Sequence, residues 1–417
     1  MNAMSKPSRR GLIKLGLLSA GLPALSTVWS SPLRAQQRGR AEEKMGYPIG
    51  GFPDGGHLEI RMTLSPFTSD PEEFEAYLRI RPYNPESLYV VMKELAERNE
   101  QKAEQFEREG RKVTAHEFYL RAADFCRRAC VRMNEGEPRM LPTHKKFLEL
   151  FNKAWQLAPP PFERVQVPYE GMLLDGYFRK PAGVAGRRFP LVIEHQGADT
   201  NAESSITGAY AGAYVARGMA YLVVDAPGTL GALRLKNLHA PPDTERVTKA
   251  LVDYAVSRPD VDPTRIGMNG VSMGGYGAPR SAAGEKRLKA IWMASAAYNL
   301  LKDIYDYYPP IQDRVRWIIG AKDLAEGRRK IAEFTLEGRA DKIECPMLIG
   351  YSVDDRIMNP DGALKLYRAA VNSKREMVDG TGVGLGHNPD ANAGGPRYLR
   401  TNILEDWAAK QLVGGIS

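Results

Sequence analysis

The sequence predicts an α/β fold: a mostly parallel sheet covered by helices on both faces, preceded by an all-helical region. From residue 162 onward, short apolar strands alternate with helical segments, which is typical of a parallel sheet. Between residues 71 and 158, apolar side chains recur at helical spacing. Three consecutive prolines, 159–161, separate the two patterns. A chain of 417 residues accommodates one large domain and a smaller addition.

The helical region contains three strong helix signals. Asn84 and Pro85 are typical of a helix start, and Gly110 ends the same amphipathic stretch. A second helix is predicted over 114–134, and a third begins after Thr143. We therefore expect residues 71–158 to form a helical domain that follows an irregular, Gly- and Pro-rich arm at 36–70.

Strands and helices of the second region follow one another in chain order. Strands are predicted at 162–168, 172–179, 190–195, 221–225, 265–271, 290–294, 347–351 and 375–378, and helices at 245–257 and 398–412. Right-handed crossovers bring the carboxyl ends of parallel strands to one edge, where sites form. An insertion at about 298–339 is rich in aromatic residues, which either line a pocket or pack the core.

One segment carries a specific chemical signal. Gly270-Val-Ser272-Met-Gly274 follows a buried strand and precedes a helix, which is the strand–turn–helix setting of a nucleophile elbow. The turn holds the serine in strained backbone geometry, so its neighbours must lack side chains. The helix that follows directs its positive end toward a reacting carbonyl. Ser272 is therefore the predicted nucleophile.

A serine hydroxyl needs a base and an orienting carboxylate, and this fold orders them as serine, acid, histidine. Of the six histidines, only His387 follows the elbow, in a Gly-rich loop. The acid should end a strand, and strand 347–351 runs into the adjacent Asp354 and Asp355. We favour Asp354, because Ile357 follows it by three residues, a spacing often seen after the catalytic acid in this fold. Asp355 is kept as the alternative.

The developing oxyanion needs hydrogen-bond donors. The backbone N–H of Met273 is one, because it follows the nucleophile. The loop after strand 190–195 should supply the second, from Gly197 or Ala198. Asp199 in that loop is a candidate substrate contact, and His195 is expected to be a structural residue at the strand end.

These residues resemble the α/β-hydrolase superfamily over about residues 162–415, which implies a roughly eight-stranded sheet. The helical region, the segment 225–228 and the elbow together resemble the group of 2,6-dihydroxypseudooxynicotine hydrolase and fungal polyketide-shortening hydrolases. Members cleave a carbon–carbon bond beside a ketone, and relatives hydrolyse esters. The resemblance implies that residues 71–158 form a cap over the active-site edge of a catalytic domain at 162–417.

The first 35 residues differ from the rest in charge. They hold five basic and no acidic residues, so the formal net charge of +8 falls to +3 without them. Ser8-Arg9-Arg10 before an apolar run at 15–29 resembles a twin-arginine signal, with a cleavage region at 31–35. This predicts a precursor handled by the twin-arginine machinery and a periplasmic or secreted enzyme with no stable membrane anchor.

Several other function classes find no support in the sequence. The modest remaining charge gives no reason to expect nucleic-acid binding. Metal-ligand spacing and a dinucleotide fingerprint are both absent, so neither metal nor cofactor is expected. The three cysteines are expected to be packing residues. A homodimer is left open.

The sequence thus predicts an exported serine hydrolase that acts on a small acyl ester. Hydrolysis of a carbon–carbon bond in a β-diketone or an aryl ketone, with the same residues, is the alternative. A peptidase or a non-catalytic binding protein fits less well.

Overall fold

A computed structural model describes residues 71–380 except 83 and 184–185, together with residues 387 and 402–414. The predicted leader at 1–35 and the arm at 36–70 lie outside the described residues. The described residues belong to one compact unit, which comprises a helical region and a sheet with its covering helices.

The helical region matches its sequence pattern closely. Its helices are α1 (Pro71–Arg79), α2 (Pro85–Arg108), α3 (Lys112–Cys130) and α4 (Met140–Leu157). The start of α2 is fixed by Asn84, whose side chain accepts a 2.9 Å hydrogen bond from the Ser87 N–H, and by proline at the first helical position. Gly110 takes a φ of +76°, a conformation that ends the helix cheaply only because glycine has no Cβ.

An eight-stranded sheet forms the second region. Its strands are β1 (Glu163–Tyr169), β2 (Met172–Arg179), β3 (Phe189–His195), β4 (Ala220–Val224), β5 (Val261–Val271), β6 (Leu288–Ala294), β7 (Met347–Tyr351) and β8 (Arg375–Asp379). Their order is β1-β2-β4-β3-β5-β6-β7-β8. The β1–β2 and β2–β4 pairs are antiparallel, and every other pair is parallel. The predicted strands are all present.

Helices connect these strands. They are α5 (Ala202–Thr207), α6 (Ala209–Ala216), α7 (Leu230–Lys236), α8 (Thr244–Ser257), α9 (Gly274–Gly284), α10 (Gln312–Ile318), α11 (Leu324–Ile331), α12 (Pro360–Ala369) and α13 (Ile403–Leu412). Because β3 and β4 are buried along almost their whole length, the sheet must be covered on both faces. This confirms the predicted α/β class.

Each face of the sheet has its own apolar core. On one face Ile193 and Met268 pack with α8 and α9 and with the insertion. On the other, Trp292 packs with α6 and α13, and the same apolar cluster continues into the N-terminal helices. Phe151 of α4 and Tyr177 of β2 make an edge-to-face contact at 6.0 Å within it. The helical region therefore rests directly on the sheet.

The aromatic insertion serves mainly packing. Tyr305, Trp317 and Phe334 are buried in the core of the first face, and the Phe334 ring lies 6.0 Å from that of Tyr276. Tyr307 is partly exposed and donates a hydrogen bond of 2.9 Å to the Asp355 carbonyl. The insertion thus braces the loop after β7. In the described part of the chain, no helix combines the length and apolar character needed to cross a bilayer.

Candidate active site

Ser272 lies at the tip of a sharp turn between β5 and α9. Its φ is +56°, a left-handed conformation that costs a non-glycine residue energy and is held here by the surrounding chain. Its N–H donates to the Ala294 carbonyl of the neighbouring strand at 3.2 Å. The serine hydroxyl is thereby held beyond the carboxyl end of the sheet.

Two glycines allow this turn. A Cβ at Gly270 would stand 2.1 Å from the Gly274 carbonyl oxygen, and one at Gly274 would stand 2.0 Å from the His195 carbonyl oxygen. No side chain fits at either distance, so strand, turn and helix approach each other only because both positions are glycine. The α9 helix begins immediately after Met273, so its positive N-terminal end faces the same space as the serine.

His387 reaches back over the sheet edge to the serine. Its Nε2 lies 2.9 Å from the Ser272 Oγ, and its side chain is only 8% exposed. With Nε2 as the acceptor, the hydroxyl donates its proton toward the imidazole, as a general base requires. Residues 381–386 and 388–401, on either side of this histidine, lie outside the described residues.

The structure places Asp355, not Asp354, against the imidazole. The Nδ1 of His387 lies 2.9 Å from one Asp355 carboxylate oxygen and 3.2 Å from the other. Asp354, which the sequence analysis favours, is exposed. The cause is a tight turn after β7, closed by a 3.2 Å hydrogen bond from the Asp355 N–H to the Ser352 carbonyl. This turn directs Asp354 outward and returns Asp355 to the sheet edge.

Backbone donors then fix the Asp355 carboxylate. The N–H groups of Ile357 and Met358 donate to its Oδ1 at 2.8 and 2.9 Å, and the side chain is 2% exposed. These hydrogen bonds hold the carboxylate in one orientation, facing the imidazole. The spacing to Ile357 favoured Asp354 in the sequence. In the structure Ile357 instead contacts Asp355, through its backbone N–H. No sequence signal distinguishes the two carboxylates, because both follow the same strand.

The loop after β3 lies beside the nucleophile. A Cβ at Gly197 would stand 3.0 Å from the Ser272 Cβ and 3.6 Å from its Oγ, so the glycine backbone directly borders the hydroxyl. Met273 follows the serine at the start of α9. The structure thus gathers Met273, Gly197 and Ala198 around one space, and their role as oxyanion donors remains a prediction.

An apolar cavity adjoins this loop. It measures about 60 Å³ and is bordered by Gly197, Ala198 and Met273. Apolar side chains from the insertion, Leu300, Ile318 and Phe334, form part of its wall. The cavity therefore lies on the sheet side of the loop after β3, next to the first residue after the nucleophile.

His195 is a buried residue at the end of β3. Burial lowers the pKa of its imidazole to about 4, so the ring is neutral at ordinary pH. The ring packs so closely against Gly277 of α9 that a Cβ there would stand 2.2 Å from it. These contacts suit the structural role that the sequence analysis expects.

Asp199 is held by arginines. One carboxylate oxygen lies 2.7 Å from the Arg314 guanidinium and the other lies 2.9 Å from that of Arg132. Burial acts to raise the pKa of the Asp199 carboxyl, but the positive charges of Arg132 and Arg314 outweigh it and hold that pKa below its usual value. The sequence analysis missed both, because they lie 67 and 115 residues from the aspartate and no local motif marks them.

The three cysteines are buried or partly buried. Cys126 and Cys130 are buried on α3, where burial raises the pKa of both thiols, and Cys345 is partly buried. Among the residues that the structure describes, no group of three or more histidine, cysteine, aspartate or glutamate side chains is placed to hold a metal ion.

Comparison with known proteins gives relatives among fungal hydrolases. The α/β hydrolase psoB of Aspergillus fumigatus is 33% identical over 245 residues, 55% of this chain and 54% of psoB. Hydrolase LUC6 of a Fusarium species is 27% identical over 324 residues, 68% of this chain and 77% of LUC6. The chain spans about half the length of psoB. No family model matches the chain.

Among solved structures, 2,6-dihydroxy-pseudo-oxynicotine hydrolase is similar over nearly its whole length. The two share 25% sequence identity with a TM-score of 0.69, and the match covers 86% of this chain and 96% of that one. The α/β-hydrolase fold and the resemblance to this group, both predicted from the sequence, are confirmed. The relatives are named hydrolases, which supports an enzyme of the serine-hydrolase fold type.

The predicted cellular location is wrong. It assumed bacterial twin-arginine export to the periplasm or the medium, whereas psoB and LUC6 are fungal proteins. The export signal had been inferred from a short basic and apolar pattern at 1–35, and such patterns arise in other contexts. That segment lies outside the described residues.

Proposed function

We propose that this α/β-hydrolase cleaves a carboxylic ester through an acyl-enzyme, with Ser272 as nucleophile, His387 as base and Asp355 as the orienting acid. The observation that carries the proposal is the continuous hydrogen-bonded chain from the Ser272 Oγ through both imidazole nitrogens to the Asp355 carboxylate. Each link is 2.9 Å long, so a proton can leave the hydroxyl as its oxygen attacks.

The first half-reaction forms an ester with the enzyme. The Ser272 Oγ attacks the substrate carbonyl carbon while its proton moves to the His387 Nε2. The carbonyl oxygen becomes an oxyanion, and the N–H groups of Met273 and of Gly197 or Ala198 stabilise it. When the tetrahedral centre collapses, the imidazolium gives its proton to the leaving alcohol and the acyl group remains on Ser272.

The second half-reaction repeats this sequence with water. His387 takes a proton from the water as its oxygen attacks the acyl carbon, and then returns a proton to the Ser272 oxygen as the acid leaves. Asp355 keeps the imidazole in the tautomer that carries hydrogen on Nδ1 and stabilises its positive charge in both halves. The apolar cavity beside Gly197 suits the acyl group of a small substrate.

The similarity to 2,6-dihydroxy-pseudo-oxynicotine hydrolase favours a second candidate reaction. In it the same serine attacks a ketone carbonyl, and the bond that breaks joins that carbon to a neighbouring carbon. The leaving carbanion then takes the imidazolium proton, so it must be stabilised as an enolate or by an aromatic ring. A β-diketone or an aryl ketone meets that requirement.

We also propose that helices α1–α4 act as a cap. The loop between α3 and α4 supports this, because it reaches the loop after β3 through Arg132 and Asp199. Substrate specificity would then depend on both regions. A small-molecule acyl ester or ketone remains the proposed partner.

The test uses one nucleophile variant and two substrate sets. Ser272→Ala should lower hydrolysis of p-nitrophenyl acyl esters by at least about 10⁴-fold, and a fluorophosphonate should label the wild type at Ser272. Matched β-diketones and aryl ketones, followed by product analysis, separate the two reactions. Turnover by Ser272→Ala at the wild-type rate, or labelling at another residue, would refute both candidates.

A further inference from the structure

The segment that follows the expected oxyanion donors is tied to the helical region by charge. Asp199 comes directly after Ala198 in the loop that borders the nucleophile. Its two carboxylate oxygens engage Arg314 of α10 and Arg132, which lies just beyond the end of α3. One aspartate therefore connects the catalytic loop, the insertion and the helical region.

Arg314 is the centre of this connection. Its guanidinium donates to the carbonyl oxygens of Val131 and Met133 at 2.8 and 3.3 Å, and to that of Ala198 at 3.4 Å. Its Nε also donates to the side chain of Asn134. A cation at the carboxyl end of a helix is favoured by the helix dipole, so Arg314 fastens the end of α3 while it holds Asp199.

Burial makes the arrangement rigid. Arg314 is 4% exposed, and burial lowers the pKa of its guanidinium to about 10, which still leaves it charged at neutral pH. A buried cation of this kind needs its anion and its carbonyl partners in place, because water cannot substitute for them. Asp199 is its anion, so displacement of the loop after β3 would break several charge-assisted bonds together.

We propose that Asp199 is a positioning residue that holds the N–H groups of Gly197 and Ala198 in place for the oxyanion, with the helical region as its anchor. This rests on the proposed function. It gives the α3–α4 loop a part in catalysis beyond covering the site. The sequence analysis named Asp199 as a candidate substrate contact; in the structure both its carboxylate oxygens are directed at arginines.

The test compares Asp199→Asn with a matched control, Glu135→Gln. Glu135 also joins the α3–α4 loop to α10, through a 3.2 Å ion pair with Arg316, but it makes no described contact with the loop after β3. Both substitutions remove one negative charge from a bridge between the same two regions. Only the first removes an anchor of the oxyanion loop.

Two readouts separate positioning from general stability. Asp199→Asn should lower kcat about 10- to 100-fold with KM within about twofold, because the lost contact acts on the transition state. The rate ratio between an ester and its thionoester should fall as well, because sulfur accepts hydrogen bonds poorly and depends less on the oxyanion donors. Glu135→Gln should leave both quantities at wild-type values, and Asp199→Glu should restore part of the loss.

Arg132→Met provides a second route should Asp199→Asn fail to fold, since Arg132 is the more exposed partner. It should change both readouts in the same direction and by less. Wild-type kcat and an unchanged ester-to-thionoester ratio in these variants would overturn the inference, and so would a loss of kcat without a change in that ratio. Labelling of Ser272 in the wild type is independent of these outcomes, so failure of the proposed function would be recognised separately.

Discussion

The loops after β5 and β7 meet at the same edge of the sheet but are specified in different ways. In the elbow, glycines at 270 and 274 allow a turn so tight that a single residue, Ser272, stands at its tip. The loop after β7 offers two adjacent aspartates, and one hydrogen-bonded turn decides which faces inward. A steric requirement for glycine can be recognised in the sequence. Which of two adjacent aspartates faces inward cannot.

The largest expected effect tests that choice directly. Asp355→Asn should lower kcat by about 10⁴-fold, because an amide in place of the carboxylate no longer fixes the imidazole tautomer. Asp354→Asn should change kcat by less than about threefold, since its side chain is exposed. Steady-state kinetics with one p-nitrophenyl ester measure both.

Asp354→Asn is also the matched control, because it alters the same turn and removes the same charge. Circular dichroism and the midpoint of urea unfolding establish that both variants fold. Equal losses in the two variants, or a larger loss for Asp354→Asn, would show that the turn is placed differently in solution and would remove Asp355 from the proposed triad.

The sequence predicted the fold and most of the site because those features depend on local pattern. Strand and helix positions follow from apolar spacing, and the helix that starts at Pro85 follows from Asn84 and the proline. Ser272 and His387 were selected by motif and by chain order, and the structure brings their side chains within 2.9 Å of each other. The inward position of Asp355 depends on the conformation of the turn after β7, and the Tyr307 contact to its carbonyl depends on how the insertion packs against that turn. Neither is recorded in a local sequence pattern.

The second prediction tests whether the turn after β5 requires glycine at position 274. Gly274→Ala places a Cβ 2.0 Å from the His195 carbonyl oxygen, so α9 must move away from β3 and carry Ser272 with it. We expect kcat/KM to fall by about 100-fold, as small displacements of reacting groups do, and stability to fall by about 1–3 kcal/mol. Ester kinetics and urea unfolding measure the two effects.

Gly338→Ala serves as the control for that variant. Its φ is +63°, but apart from its two chain neighbours no described residue has an atom within 4 Å of the added carbon. Only the backbone preference therefore changes, at a cost of about 1 kcal/mol. Its kcat/KM should match the wild type. Activity of Gly274→Ala at the wild-type level would show that the elbow tolerates a side chain and that glycine there is not required by geometry.

The loop after β3 differs from the loops after β5 and β7, because buried hydrogen bonds and ion pairs hold it in position. The Arg132–Asp199–Arg314 bridge joins residues from three distant segments, so no local sequence pattern predicts it. At the end of β3, the Glu194 carboxyl accepts a 2.8 Å hydrogen bond from Ser205, and among the described residues its Oε2 has no hydrogen-bond partner. Burial raises the pKa of Glu194 from 4.5 to about 7.

The smallest expected effect follows from that raised pKa and concerns stability alone. Between about pH 4.5 and 7 the unfolded chain loses the Glu194 proton while the folded chain keeps it, so this residue makes stability fall as pH rises through that window and level off above it. Glu194→Gln removes the titration. Its unfolding free energy relative to the wild type should therefore rise from pH 4.5 to pH 8, by at most on the order of 3 kcal/mol.

Ser205→Ala sharpens this test, because it should extend the pH window of the decline upward, whereas Glu194→Gln removes that window. Its hydroxyl donates to Glu194 and lowers the pKa of that carboxyl, so removing it should raise the pKa further and extend the decline in stability above pH 7. Urea midpoints at pH 5, 6, 7 and 8 for the wild type and both variants measure the slopes. Parallel pH profiles for all three proteins would mean that Glu194 is ionised in the folded protein and that its buried surroundings accommodate the charge.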